Sequence, residues 1–195
     1  MIMRGLSIVE AIVTIAVTSV ILAVITQSVL SFYKSNRVAL EESFQIRSAE
    51  RGVQALVRDL RETTYGDNGA YPLATIASTT ITFYSDVDHS APIEQISYVL
   101  SANRLTRTVT YSAGDPPTYT GQSVTTVVSD FVRNLEDGIP MFRYFDAGGA
   151  EVTDPLDITD VVSVTVSLVV DITPVHAPGE FTLRSSASLR NLRPQ

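Results

Sequence analysis

From Ala11 to Tyr33 the chain carries no charged residue, no proline and no glycine, and the residue just before that run is Glu10. Nothing else in the sequence restricts the fold as strongly. A helix from Leu6 to Leu30 is about 38 Å long at 1.5 Å per residue, enough to cross the hydrocarbon of a bilayer. An ionised carboxylate in that setting costs on the order of 3 kcal/mol or more, so Glu10 is a candidate functional group that needs a counter-charge.

The residues before the run supply one. Met1 to Gly5 hold a single base, Arg4. They are too short for a secretory signal with its own charged, apolar and cleavage regions. The run also lacks an Ala-x-Ala ending, since Ala23-Val24-Ile25-Thr26-Gln27 places bulky side chains where small ones are required. Gly5 directly ahead of the apolar run, with glutamate five residues on, points to a cut between Gly5 and Leu6. That cut exposes an α-ammonium on Leu6. Within one helix the ammonium and Glu10 are a little over a turn apart; between staggered neighbouring helices they can meet directly. In a low-dielectric surrounding such a pair offsets much of the desolvation cost.

The segment Gly5-Leu6-Ser7-Ile8-Val9-Glu10 resembles the class III signal of type IV prepilins and pseudopilins, usually Gly-Phe-Thr-Leu-Ile-Glu. It keeps the glycine, the small hydroxyl, the aliphatics and the glutamate, and departs at Leu6, where phenylalanine is usual. The resemblance implies that a prepilin peptidase cuts after Gly5 and N-methylates the amine of Leu6. It also implies that Glu10 guides a new subunit onto a growing filament. Arg4 lies before the span, and Lys34 and Arg37 mix with Glu41 and Glu42 beyond it, which favours an N-in, C-out single pass.

About 160 residues beyond the span leave room for one modest extracytoplasmic domain. The chain has no cysteine, which excludes disulfides, thiolate metal sites and cysteine nucleophiles. A net charge of −7 argues against a broad nucleic-acid-binding surface. From Glu62 to Asn103 inclusive there are five acids and no Lys or Arg, so one face of the domain is expected to be acidic.

Helical periodicity continues past the apolar run. Leu40, Phe44, Ala49, Val53, Leu56, Val57 and Leu60 mark one stripe, while Arg47, Glu50, Arg51, Arg58, Asp59, Arg61 and Glu62 fill the other faces. One helix is predicted from about Leu6 to Arg61, with Gly52 its only internal breaker and Tyr65-Gly66-Asp67-Asn68-Gly69 its stop. From Ile81 the period becomes two. Ile81 and Phe83, then Ile96, Tyr98 and Leu100, then Leu105, Val109 and Tyr111 alternate with polar residues. Val162 to Val170 and Phe181 to Leu189 repeat the pattern. These are half-buried antiparallel strands, separated by turns at Asp86 to Asp88, Ser101 to Asn103, Gly114 to Pro117, Ala147 to Gly149 and Pro174 to Gly179. The stripe from Leu40 to Leu60 is the expected cover for the sheet. The fold class is therefore α+β: a long N-terminal helix whose second half packs on an antiparallel sheet.

Arg51 to Arg61, Ile81 to Asp88 with Ile96 to Leu100, and Leu183 to Leu192 are similar to the helix end, first hairpin and closing strand of PilW-like minor pilins and J-type pseudopilins. That resemblance implies a leader over 1–5, a transmembrane and assembly helix over 6–30, an amphipathic second half over 31–62 and a β-rich pilin domain over 63–195. It implies a structural subunit, not an enzyme, that initiates or caps a type IV pilus or type II secretion-type filament. The expected partners are other pilin or pseudopilin subunits, the prepilin peptidase and inner-membrane lipid before assembly. The final location is a cell-surface or periplasmic filament. The alternative is a membrane-anchored adhesin or binding module that never enters a filament.

Other candidate sites are weaker. Asp86-x-Asp88 with Glu94 invites a calcium reading, but an EF-hand needs glycine and an acid where Ala91 and Ser97 stand. Asp86 and Asp88 therefore read first as a solvated acidic turn, and Asp146 and Glu151 around Gly148-Gly149 likewise. His89 and His176 lie in separate loops, which disfavours a two-histidine metal site. There is no Gly-x-Ser-x-Gly and no phosphate loop, so no cofactor is expected. Tyr65, Tyr71, Tyr111 and Tyr119 read as locally packed, with an adhesive surface as the alternative.

Overall fold

The computed structural model describes residues 8–171 and 180–189. A single helix, α1, runs Ile8–Arg61. Glu10 lies in its first turn and Arg58 and Arg61 in its last, the charge order that complements the helix dipole. The chain divides into two compact units, Met1–Phe44 and Gln45–Gln195.

In the first unit the helix presents large apolar side chains outward all round, including Ile12, Ile15, Leu22, Ile25 and Phe32. The hydroxyls of Thr14, Thr18, Ser19 and Thr26 each donate to the carbonyl four residues earlier, at 2.7–2.8 Å. Their polarity is thereby satisfied inside the helix, as a nonaqueous surrounding demands. The stretch Ile8–Arg37 is long and apolar enough to cross a membrane.

In the second unit the rest of α1 packs on two antiparallel sheets. The first is a five-stranded meander of β1 (Leu73–Ile76), β2 (Thr80–Ser85), β3 (Glu94–Ser101), β4 (Arg104–Thr110) and β5 (Ser123–Ser129). The second contains β6 (Phe142–Phe145), β7 (Glu151–Val152), β8 (Ser163–Val170) and β9 (Phe181–Ser188), in the order β7-β6-β8-β9. A short 3-10 turn, Pro155–Asp160, leads into β8 and is capped by the Asp154 carboxylate. The α+β class thus stands, with two sheets where the sequence pattern suggested one. The division falls after β5. There Phe131 adopts φ 61°, and the backbone bonds of the following segment go to β8: Arg133 N donates to Val169 O, and Met141 O accepts from Ser167 N. The Asn134 amide donates to Ser167 O at 2.8 Å and accepts from Val169 N at 2.8 Å. A polar side chain therefore completes the ladder where the strand pattern lapses.

The core joins helix and sheets. Ala49, Val53, Leu56, Val57 and Leu60 are buried with Phe83, Ile96, Tyr98 and Leu105 of the first sheet and Phe142, Val164, Val166 and Leu168 of the second. The sheets meet at the β1–β2 turn, where the Tyr144 hydroxyl donates to Ala77 O at 2.8 Å and Ser78 O accepts from Met141 N and Phe142 N. Two expectations for the helix need correcting. Leu40 is about half exposed, so the buried stripe starts at Ala49; the side chain of Phe44 lies outside the described residues. Among the described side chains, then, helical spacing marks a face that Leu40 shares without being covered. Asp59, assigned to the solvent faces, is fully buried.

Gly52 does not break the helix. An added Cβ there would sit 2.3 Å from Val128 Cγ1 and 3.1 Å from Val128 O, so glycine lets β5 lie directly against α1. Gly52→Ala should gain about 1 kcal/mol of helix propensity and lose more to overpacking, typically about 1–3 kcal/mol. A lower denaturation midpoint is expected. An alanine variant more stable than the parent would refute this close approach.

Candidate functional site

Glu10 is exposed on the first turn of α1, in the unit whose outward side chains are otherwise apolar or uncharged as far as Tyr33. Its neighbours one turn on are Val13 and Thr14, and the Thr14 hydroxyl is committed to the Glu10 carbonyl at 2.7 Å. It does not bond the carboxylate. Gly5 and Leu6, the expected cleavage residues, lie outside the described residues, as do His176 and the turn at Pro174 to Gly179.

The second unit holds a charged cluster in its core. The Asp59 Oδ2 atom accepts from the Tyr98 hydroxyl at 2.9 Å and from Arg107 Nε at 2.9 Å. Its other oxygen, Oδ1, is buried without a hydrogen bond and lies 3.6 Å from Arg58 Nη2. Burial, reinforced by the Asp59 charge, pushes the Tyr98 phenol far above its ordinary range, so it stays a donor. Burial works against the charge on Arg107, but Tyr98 and Asp59 together outweigh it and raise its pKa. The cluster ties α1 to β3 and β4. Its chemistry is anchoring, because Asp59 Oδ2 holds both Tyr98 and Arg107. Sequence patterning missed it. The available signal was Arg107, which sits on the same alternating face as Leu105 and Val109.

Asp86, Asp88 and Glu94 do converge, with carboxylate oxygens within 4.8 Å of one another. Most of that convergence serves the turn. Asp86 Oδ1 and Asp88 Oδ1 both accept from Ser90 N at 3.0 Å, and buried Glu94 accepts from Val87 N at 3.1 Å. Burial raises the Glu94 pKa; the Val87 N–H opposes this, while Asp88 and Asp86 add to it. These are the bonds of a self-capped acidic turn. Asp146 does the same for its hairpin, accepting from Ala150 N at 2.8 Å, and Glu151 pairs with Arg143, whose Nε lies 2.8 Å away.

His89 is exposed at the β2–β3 turn with φ 56°. The tyrosines pack locally: Tyr65 lies edge-on to Tyr71 with centroids 6.2 Å apart, and Tyr119 lies 4.8 Å from Tyr84. Tyr111 remains partly exposed. Asp67, which sequence reasoning treated only as a turn residue, holds the loops at this end together. Its carboxylate accepts from Ile93 N at 3.1 Å and from the Ser112 hydroxyl at 2.7 Å, and its own N–H donates to the Tyr119 hydroxyl oxygen.

No family model matches the sequence, and no curated protein matches it. Among solved structures, a chain of the GspK-GspI-GspJ complex from the type 2 secretion system of enterotoxigenic Escherichia coli is similar to it at TM-score 0.43 and 16% sequence identity. The match covers 77% of this chain and 99% of that one.

Proposed function

We propose that this chain is a minor pilin or pseudopilin, a non-enzymatic structural subunit that initiates or caps a type IV pilus or type II secretion-type filament. The observation that carries the reading is a single acid, Glu10, in the first turn of an apolar helix that is otherwise uncharged as far as Tyr33 and continues into an α+β domain. Before assembly the helix spans the inner membrane once, with the domain outside. Prepilin peptidase removes residues 1–5 and methylates the Leu6 amine. The segment 6–30 then leaves lipid and packs among the same segments of neighbouring subunits, residues 31–62 carry the helix into the domain, and 63–195 form the β-rich extracytoplasmic domain. Gly5 is required because a side chain there clashes in the peptidase. Leu6 supplies the ammonium and Glu10 the counter-charge.

Intact mass of the protein purified from membranes tests this. A start at Leu6, with or without one added methyl group, is expected for the parent, and the uncut precursor for Gly5→Leu. Mature-sized product from Gly5→Leu, or a native chain that retains Met1, would favour a membrane-anchored adhesin instead.

A further inference from the structure

Among the described residues, the second sheet ends at β9, with no strand on its outer side. In β9, Leu189 N donates to Val162 O, and the register continues with Ala187 opposite Val164 and Ser185 opposite Val166. Antiparallel pairing alternates, so Ser185 and Ala187 turn their N–H and C=O groups to β8 while Arg184 and Ser186 turn theirs outward. Among the described residues, the main-chain groups of Arg184 and Ser186 have no partner. β9 contains no proline, and its one charged residue, Arg184, is drawn to Ser167 by a bond from Nε to Oγ at 3.1 Å. Within β9 itself, proline and repeated charges, two usual protections of an edge strand, are thus missing.

Beside this edge runs a cleft of about 1010 Å³ between the last turns of α1 and β9. Gln54, Arg58, Arg61 and Glu62 form the helix wall, and Ser185 and Ser186 stand opposite. Two arginines against one glutamate leave that wall positive on a chain of net charge −7. Arg58 is well exposed, and its one ion pair among the described residues is the long contact with Asp59.

We propose that β9 and this cleft take up an extended strand from a different polypeptide, one with carboxylates on alternate residues. Such a strand adds to the sheet through main-chain bonds at Arg184 and Ser186, and every second side chain then faces Arg58 and Arg61. The charge pattern argues against a second copy of this chain as occupant. The other edge strands β1 and β5 contain no acid, and Glu151 of β7 is already held by Arg143. This inference is independent of the filament reading.

The test uses the full chain in detergent micelles and fluorescence anisotropy with two labelled, blocked octapeptides. One alternates threonine with glutamate, the other threonine with lysine. The glutamate peptide is expected to bind at least about tenfold more tightly, an advantage that salt reduces. Ser186→Pro deletes one outward N–H while leaving the main-chain bonds to β8 in place, at the loss of the hydroxyl contact with Thr165, and should weaken binding about tenfold. The double variant Arg58→Glu, Arg61→Glu should reverse the preference, with far-ultraviolet circular dichroism confirming that both proteins fold. Equal binding of the two peptides overturns the proposal. So does a Ser186→Pro variant that binds like the parent, because attraction would then be ionic without strand addition. A homodimer trapped through Ser186→Cys in the absence of peptide also overturns it, since a second copy would then be the occupant.

Discussion

Asp59→Ala is expected to destabilise the second unit by about 3 kcal/mol, the low end of what breaking a buried ion pair costs. Alanine removes the acceptor of both the Tyr98 hydroxyl and Arg107 Nε, each 2.9 Å from Asp59 Oδ2. Arg107 keeps only 19% of its side chain exposed, so it cannot fully recover hydration without leaving the helix interface. Domains of this size have total stabilities on the order of 5–15 kcal/mol. A loss of this kind therefore lowers Tm by roughly 10 °C. The comparison that isolates the charge is the double variant Asp59→Leu, Arg107→Leu. Removing both partners leaves no orphaned charge, so it should recover most of the loss. Tyr98→Phe should cost about 1 kcal/mol, the typical worth of one hydrogen bond. If Asp59→Ala melts within a degree or two of the parent, the cluster does not anchor the helix.

The same residue shows where sequence reading stops. Helical and strand periods report which positions share a face, and they located α1, the β2–β3 and β3–β4 pairs, and the β8–β9 pair. They assign an acid to the solvent face by default, because burying a lone carboxylate is prohibitive. Asp59 escapes that default only because Arg107, 48 residues later, reaches it. No one-dimensional pattern joins two charges that far apart. The short strands β1, β6 and β7 were equally hidden. They span 4, 4 and 2 residues, too few for alternation to stand out. The edge strand β5 failed for another reason: Val124 and Val127 are exposed, so its apolar residues do not mark a buried face. The acidic turn was legible in composition. Its closure through Ser90 N and Val87 N was not, since either a turn or a cation site brings Asp86, Asp88 and Glu94 together.

For Glu10→Ala, normal processing but a large defect in filament entry is expected. The proposed cut, between Gly5 and Leu6, is four residues ahead of Glu10 in sequence, so the mature mass should still begin at Leu6. Assembly is another matter. An unpaired charge among packed helices costs on the order of 3 kcal/mol. On the filament reading proposed above, a subunit lacking the carboxylate leaves its Leu6 ammonium to bear that cost on moving from the membrane surface into the filament. At about 1.4 kcal/mol per decade, incorporation against co-expressed parent should fall on the order of a hundredfold. A second effect acts in the same direction. Alanine removes the one charge in the first turn of a helix that is otherwise well suited to lipid, so the free subunit gains stability in the bilayer just as it loses its place in the filament. Glu10→Gln separates these contributions: it keeps hydrogen-bonding capacity without the charge, and should resemble alanine if the ion pair governs entry. Should Glu10→Ala compete equally with the parent, the ammonium must find its counter-charge elsewhere, and Glu10 has no part in assembly.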